Sequence, residues 1–167
     1  MSSIFTISID VYHNLPLFRE AMKTIQDQTY QNLEIIISNN GANQEITDFI
    51  LETKKEDKRV KVVTYEKNIF SYDDPTELID VVYNGALKIA EGKYVFRQSY
   101  DDLIALDYAE RMARLFDENT ECTSAAGLPI VIDIEGKIKE GEIYKRSKRS
   151  HNLRPRYMPG HEMVLDC

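Results

Sequence analysis

A short apolar run, Tyr94-Val95-Phe96, leads through Arg97-Gln98-Ser99-Tyr100 to two adjacent carboxylates, Asp101 and Asp102. The run reads as a buried strand, and a helical pattern starts near Asp107. Acids at the carboxyl end of a strand in an α/β sheet stand where such sheets bind ligands. Two hard oxygen ligands there can hold Mg²⁺ or Mn²⁺ against a phosphate-bearing substrate. The plainer reading is that Asp101 and Asp102 solvate a loop and favour the start of the next helix.

Two other polar clusters follow apolar runs. Asp10-Val11-Tyr12-His13-Asn14 comes after Ile4 to Ile9, and Ser38-Asn39-Asn40-Gly41 comes after Leu33 to Ile37. With Ser99 to Asp102 they offer an aromatic ring, amide acceptors and carboxylates. That inventory suits a nucleotide: a base to stack on, a base edge to read and a metal-bound diphosphate. Plainer roles exist here too. Tyr12 can pack on a neighbouring helix, and Asn-Asn-Gly tolerates the left-handed backbone of a simple turn.

These clusters need a scaffold that brings strand ends together, and the chain has one. Leu15 to Gln28 places Leu15, Phe18, Met22 and Ile25 on one helical face, with Pro16 in the first turn. Leu33 to Ile37 is a continuous apolar strand. Ile46, Phe49, Ile50 and Thr53 mark a second helix, and Val60-Lys61-Val62-Val63 a third strand. Asp73-Asp74-Pro75 opens a third helix carrying Leu78, Val81, Val82, Leu87, Ile89 and Ala90, with Gly92 as its stop. Tyr94 to Phe96 is the fourth strand, and Asp107 to Phe116 the fourth helix. Thr123–Ile132 and Lys137–Tyr144 read as two strands joined by a turn at Asp133-Ile134-Glu135-Gly136. Strands alternating with helices imply right-handed βαβ units and a mainly parallel sheet, made mixed by the late strand pair.

Composition narrows the partners. The net charge of −7 argues against nucleic acid. No run is long enough to span a bilayer, and Met1-Ser2-Ser3-Ile4 lacks the pattern of a secretory signal, which points to the cytoplasm. Cys122 and Cys167 read as free thiols, and no zinc-ligand spacing occurs. The segment Lys145 to Arg156 is strongly basic. It reads as a solvated tail, as a loop folding over phosphate, or as an arm reaching the inner face of a membrane.

The ordered segments resemble family 2 glycosyltransferases. Phe5 to His13 is similar to the family's opening strand. Asp27-Gln28-Thr29-Tyr30-Gln31-Asn32-Leu33-Glu34-Ile35-Ile36-Ile37-Ser38-Asn39-Asn40-Gly41 is similar to its Gln-Thr-Tyr, Asn, Leu-Glu-Ile-Ile, Asp-Asn/Asp-Gly sequence. Asn84 to Tyr94 looks like the helix leading into its metal-binding strand. The likeness runs from about Phe5 to Phe116.

The resemblance implies a GT-A (Rossmann-like) fold, a mixed, mainly parallel α/β sheet flanked by helices. Residues 1–144 would form the nucleotide-sugar-binding domain. Residues 145–167 would form a basic tail or the start of an acceptor-binding region. It further implies a nucleotide-sugar donor, typically a UDP-sugar, a divalent Mn²⁺ or Mg²⁺, and transfer to the hydroxyl of a glycan or lipid-linked acceptor. Nucleotide contacts would fall on Asp10, Tyr12, Asn39, Asn84, Ser99 and Tyr100, and metal contacts on Asp101 and Asp102. Tyr12 matches the aromatic that packs on the base, Asn39 the residue that reads it, and Ser99-Tyr100-Asp101 the Asp-X-Asp motif. The chain departs from the pattern in three places. Ser99 replaces an acid, Tyr83 stands where many members carry a donor-holding arginine, and Asp10 where proline is common. No residue matches the family's catalytic base. Glu162 and Asp166 are the late acids, and His161 is a polar candidate near an acceptor. The alternative to an enzyme is a non-catalytic nucleotide-sugar-binding or scaffold domain.

Overall fold

A computed structural model describes residues 3–74, 76–127 and 130–143. The chain divides into two compact units, Met1–Arg114 and Leu115–Cys167. The first holds four parallel strands: β1 (Phe5–Val11), β2 (Leu33–Asn40), β3 (Val60–Tyr65) and β4 (Tyr94–Ser99), in the order β3-β2-β1-β4. The helices α1 (Leu15–Gln26) and α2 (Gln44–Glu56) connect the first three strands. Helix α5 (Tyr108–Glu118) follows β4. The late strands, β5 (Ile130–Ile132) and β6 (Ile138–Ile143), form a separate antiparallel ladder. Their turn falls where the sequence places it. Asp133 accepts from the N–H groups of Glu135 and Lys137, and Gly136 takes a positive φ of 78°.

The two faces of the parallel sheet are chemically different. On one face Phe5, Ile7, Ile9 and Val11 of β1 align with Leu33, Ile35 and Ile37 of β2. Leu15, Phe18, Ala21, Met22 and Ile25 of α1, Ile46 and Ile50 of α2, and Ala109 and Ala113 of α5 complete this core. Each large side chain buried there contributes about 1.5–3 kcal/mol by leaving water. Gln28, just beyond α1, is also buried. It donates to the carbonyls of Thr24 and Ala105 and accepts from the N–H of Ala109, so it ties the end of α1 to the start of α5.

The opposite face is mixed, with Ile36 buried beside Ser8 among polar neighbours. Thr6, Ser8 and Asp10 of β1 lie beside Glu34, Ser38 and Asn40 of β2 and Lys61 of β3. Glu34 accepts from Thr6 Oγ1 and from the N–H of Glu91, and pairs with Lys61 at 2.5 Å. Lys61 also meets Glu91 at 2.7 Å. Burial opposes the Glu34 charge, but the hydrogen bonds from Lys61, Thr6 and the Glu91 backbone outweigh it. The net effect holds this carboxyl below its ordinary range.

The connection to β4 is less regular than its apolar spacing suggests. It starts as α3 (Thr76–Leu78), passes through a π-helical turn (Ile79–Tyr83), and ends as α4 (Asn84–Leu87). Only Val82 and Ala86 of its apolar residues are fully buried, while Ile79, Val81, Leu87 and Ile89 are exposed. The π turn bonds the Asn84 N–H to the Ile79 carbonyl, adding a residue to the turn and rotating the apolar set off one face. The Tyr65 hydroxyl donates to the Val81 carbonyl of that turn.

Gly92 is not a helix stop. The helix has ended by Leu87. A Cβ on Gly92 would lie 2.3 Å from Thr6 Oγ1, 2.8 Å from the Thr6 nitrogen and 2.9 Å from the Tyr94 oxygen. Close approach to β1 is what requires glycine.

Two outcomes follow from this packing. Gly92→Ala should lower unfolding stability by about 1–3 kcal/mol in urea titration, because backbone atoms cannot yield cheaply. A wild-type-like midpoint would refute the close-approach argument. The Glu34 carboxyl binds its proton more weakly in the folded than in the unfolded chain. Its contribution is therefore present at neutral pH and is lost as the pH falls below about 5. Glu34→Gln should flatten part of the acid-side decline in the urea midpoint, and an unchanged slope would contradict this.

Candidate functional site

Each strand brings a different side chain to its carboxyl end, and the strand order decides which of them meet. The chain moves outward from β1 through β2 to β3, then crosses back to put β4 on the other side of β1. The crevice at such a reversal is where open α/β sheets receive ligands. The register pairs Asp10 with Ser99 across β1 and β4. The segments Tyr12-His13 and Tyr100-Asp101-Asp102 leave the sheet side by side.

Three rings meet there. Tyr12 stacks on His13 with centroids 4.0 Å apart, and Tyr100 meets Tyr12 edge-on at 6.0 Å and His13 at 5.1 Å. Tyr100 Oη lies 3.2 Å from His13 Nε2. Burial, followed by the charge of Asp101, pushes the Tyr100 hydroxyl up to about 12, so it stays protonated at any physiological pH. Just before this cluster, Asn14 adopts a left-handed backbone and caps α1 by accepting from the Leu17 N–H. The cap is worth about 1 kcal/mol and fixes the direction in which the Tyr12 segment enters the helix.

The carboxylates sit beside the rings. Ser99 Oγ donates to Asp101 Oδ1 at 2.5 Å, so the residue standing in place of an acid orients the acid that follows. Asp102 is tied through its carbonyl to the buried Gln98 amide, 2.6 Å away. Burial, and next the neighbouring Asp101 charge, raise the Asp102 carboxyl above its ordinary range. A cation between two such carboxylates would relieve that repulsion. Among the described residues no group of three or more His, Cys, Asp or Glu side chains could hold a metal alone. Mg²⁺-type sites commonly use one or two carboxylates and complete their shell with water and substrate phosphates, so Asp101 and Asp102 fit that role.

Asp10 departs from its expected loop position. β1 continues to Val11, so Asp10 is a strand residue, on the polar face and 8% exposed. Its partner is Arg97 of β4, whose Nη2 donates to Asp10 Oδ1 at 3.1 Å. The Arg97 guanidinium lies 3.7 Å from the centre of the Tyr83 ring. Sequence reasoning passed over Arg97. The available signal was a charge directly after the apolar run Tyr94-Val95-Phe96, which demands a partner wherever the strand continues under cover.

Asn39 reaches the same rim but turns away from these groups. Its Oδ1 accepts from the Ala42 N–H and its Nδ2 donates to Thr47 Oγ1, both at 3.0 Å, and it is 4% exposed. The amide expected to read a base therefore fastens β2 to the start of α2. Asn40 is equally engaged, with Asn68 and the Ile69 N–H. Gly41, with φ of 67°, allows the Lys67-Asn68 backbone to pass close by. Asn84 lies exposed at the start of α4. Glu162, Asp166, His161, Cys167, the basic segment Lys145 to Arg156 and the expected boundary after residue 144 lie outside the described residues. Among the described residues no helix is long and apolar enough to cross a membrane.

Known proteins resemble this arrangement. Residues 6–72 match the family described as glycosyl transferase family 2. An uncharacterised glycosyltransferase of Haemophilus influenzae is 26% identical over 148 residues, covering 85% of this chain and 43% of that protein. Another from Rickettsia conorii is 32% identical over 114 residues, covering 68% of this chain and 17% of that protein. The chain thus spans less than half the length of these relatives. Among solved structures, Staphylococcus aureus TarS 1–349 in complex with UDP-GlcNAc aligns with a TM-score of 0.59 at 19% identity. That alignment covers 75% of this chain and 36% of the other. The Pyrobaculum calidifontis mannosyltransferase PcManGT with GDP-Man and Mn²⁺ aligns at 0.57 and 18% identity, covering 72% and 35%. At these identities the structures speak to the fold, and the sequence matches speak to descent. The parallel sheet flanked by helices is a GT-A fold, and residues 6–72 place that stretch of the chain with glycosyl transferase family 2.

Proposed function

We propose that this chain is the nucleotide-sugar-binding part of a metal-dependent, inverting glycosyltransferase that moves a sugar from a nucleoside-diphosphate donor to a glycan or lipid-linked hydroxyl in polysaccharide or glycan synthesis. The observation that carries the reading is the convergence of Tyr12, Tyr100, Asp101 and Asp102 where β1 and β4 diverge. The relatives are named glycosyltransferases, and the structural neighbours hold UDP-GlcNAc and GDP-Man.

In this reading the base stacks against the Tyr12–Tyr100 aromatic cluster, worth about 0.5–1.5 kcal/mol beyond simple burial. Ser99 keeps Asp101 turned toward the diphosphate, and Asp102 supports it. Mn²⁺ or Mg²⁺ held by Asp101 and Asp102 would supply neutralisation of charge on the departing nucleoside diphosphate. The fold contributes alignment, holding the donor so that an acceptor hydroxyl meets it in line. The base that takes the acceptor proton is assigned to no described residue. The setting is cytoplasmic, with contact to an inner membrane surface through the Lys145 to Arg156 segment as part of the same proposal.

A thermal-shift titration tests the donor reading. UDP or GDP should raise the melting temperature of the chain in the presence of Mn²⁺ or Mg²⁺. A ligand at about 100 times its Kd stabilises by about 2.7 kcal/mol, a shift of several degrees for a domain of this size. Asp101→Asn should remove the metal-dependent part. The absence of a shift with either nucleotide and either metal would refute the reading.

The Ser99 substitution and the engaged Asn39 amide favour a second reading, a nucleotide-sugar-binding domain without turnover. The two readings part in the full-length protein. Sugar transfer or donor hydrolysis abolished by Asp101→Ala would exclude the second, whereas tight binding with no turnover would favour it.

A further inference from the structure

Arg97 is the cation whose field reaches both Asp10 and Asp102, and its environment is unusual for a plain structural ion pair. Its side chain is 43% exposed, while its anionic partner Asp10 lies beneath it at 11%. The guanidinium sits over the Tyr83 ring, 3.7 Å from its centre, a contact that restrains it while the side chain stays part-exposed. One bond to Asp10 occupies one of five donors. The contact is single rather than forked, and a diphosphate offers paired oxygens that match the fork. Burial raises the Asp10 carboxyl despite the facing Arg97 charge, so this anion is only partly compensated by its partner. Register places Arg97 one step below the Asp10–Ser99 pair, on the same face and next to the proposed metal-holding acids.

The geometry points to Arg97 as the side chain that receives the diphosphate of the nucleotide-sugar donor, with Tyr83 as the shelf for its guanidinium and Asp10 as the anion that holds it until phosphate engages. This assignment rests on the donor reading above and adds the group that fixes the diphosphate. Tyr83 and Asp10 act as positioning residues. Arg97 touches the substrate. The π-helical turn ends at Tyr83, so the irregular turn is what delivers the ring over β4.

Calorimetric titration of the chain with UDP and with uridine, Mn²⁺ present, separates the possibilities. Arg97→Gln should weaken UDP binding about tenfold or more while leaving uridine binding nearly unchanged. Tyr83→Phe should bind UDP as the wild type does, and Tyr83→Leu should weaken it. Equal weakening of UDP and uridine in Arg97→Gln would mean a structural role and would overturn the assignment, as would a wild-type UDP affinity. Failure of the wild-type chain to bind either UDP or GDP would instead refute the donor reading itself, and if only GDP binds, GDP and guanosine replace UDP and uridine in the test. Should Arg97→Gln not fold, phenylglyoxal labelling of the wild-type chain supplies the test without a variant. UDP should protect Arg97 from labelling and uridine should not, and equal labelling with both would overturn the assignment.

Discussion

β1 lies between β2 and β4, and its register with both neighbours constrains everything at the rim. Phe5 pairs with Leu33 on one side and Tyr94 on the other, and the ladders run on to Asp10 beside Ser38 and Ser99. A slip of one residue along β1 would put Thr6, Ser8 and Asp10 into the apolar core and expose Ile7 and Ile9. That penalty locks the strands. Once they are locked, Tyr12 and Tyr100 must leave the sheet next to each other. The site therefore takes its precision from core packing some distance away, which keeps its own loops free to be polar.

The polar face is where the fold departs from a simple α/β layer. A parallel sheet ordinarily hides apolar side chains on both faces. Here the second face carries Thr6, Glu34 and Lys61 toward one end and Asp10, Arg97 and Asn40 toward the rim. Each acid faces a cation: Glu34 faces Lys61, and Asp10 faces Arg97, which offsets its burial only in part. Such pairs are weak sources of stability, since desolvation offsets much of their attraction, but losing one partner leaves a costly orphan. The face thus specifies its cover. Gly92 admits the chain close to Thr6, and the π turn sets Tyr83 on Arg97.

Much of the architecture was legible in the sequence because it follows from apolar periodicity. Leu15, Phe18, Met22 and Ile25 marked α1, and the runs at Leu33 and Val60 marked β2 and β3. The Asp133-Ile134-Glu135-Gly136 turn was also legible, through its turn chemistry. The strand ends were not. β1, β2 and β4 each extend two or three residues past their apolar runs, into Asp10-Val11, Ser38-Asn39-Asn40 and Arg97-Gln98-Ser99. Polarity there reads as loop, yet among the described residues no buried side-chain nitrogen or oxygen lacks a hydrogen-bond partner. Also hidden were the Arg97–Tyr83 contact and the break at Ile79–Tyr83. The contact joins two separate elements and the break adds a residue to one turn, and apolar spacing encodes neither.

The site itself was half legible. Residue type marked Tyr12, Asp101 and Asp102 as candidates, the resemblance added Tyr100, and topology brings the four to one rim. For Asn39 residue type leaves two roles open, because an amide suited to reading a base is equally suited to stapling a turn. With Ala42 on its oxygen and Thr47 on its nitrogen, Asn39 fixes where β2 hands over to α2. In the proposed function, discrimination among bases would draw on other groups at this rim, the backbone near Gly41 and the Tyr12–His13 stack. Backbone groups and ring faces recognise shape and a single hydrogen bond rather than charge. In that reading the rim would tolerate more than one base, and selectivity would shift toward the diphosphate and the sugar, beside Asp101, Asp102 and Arg97.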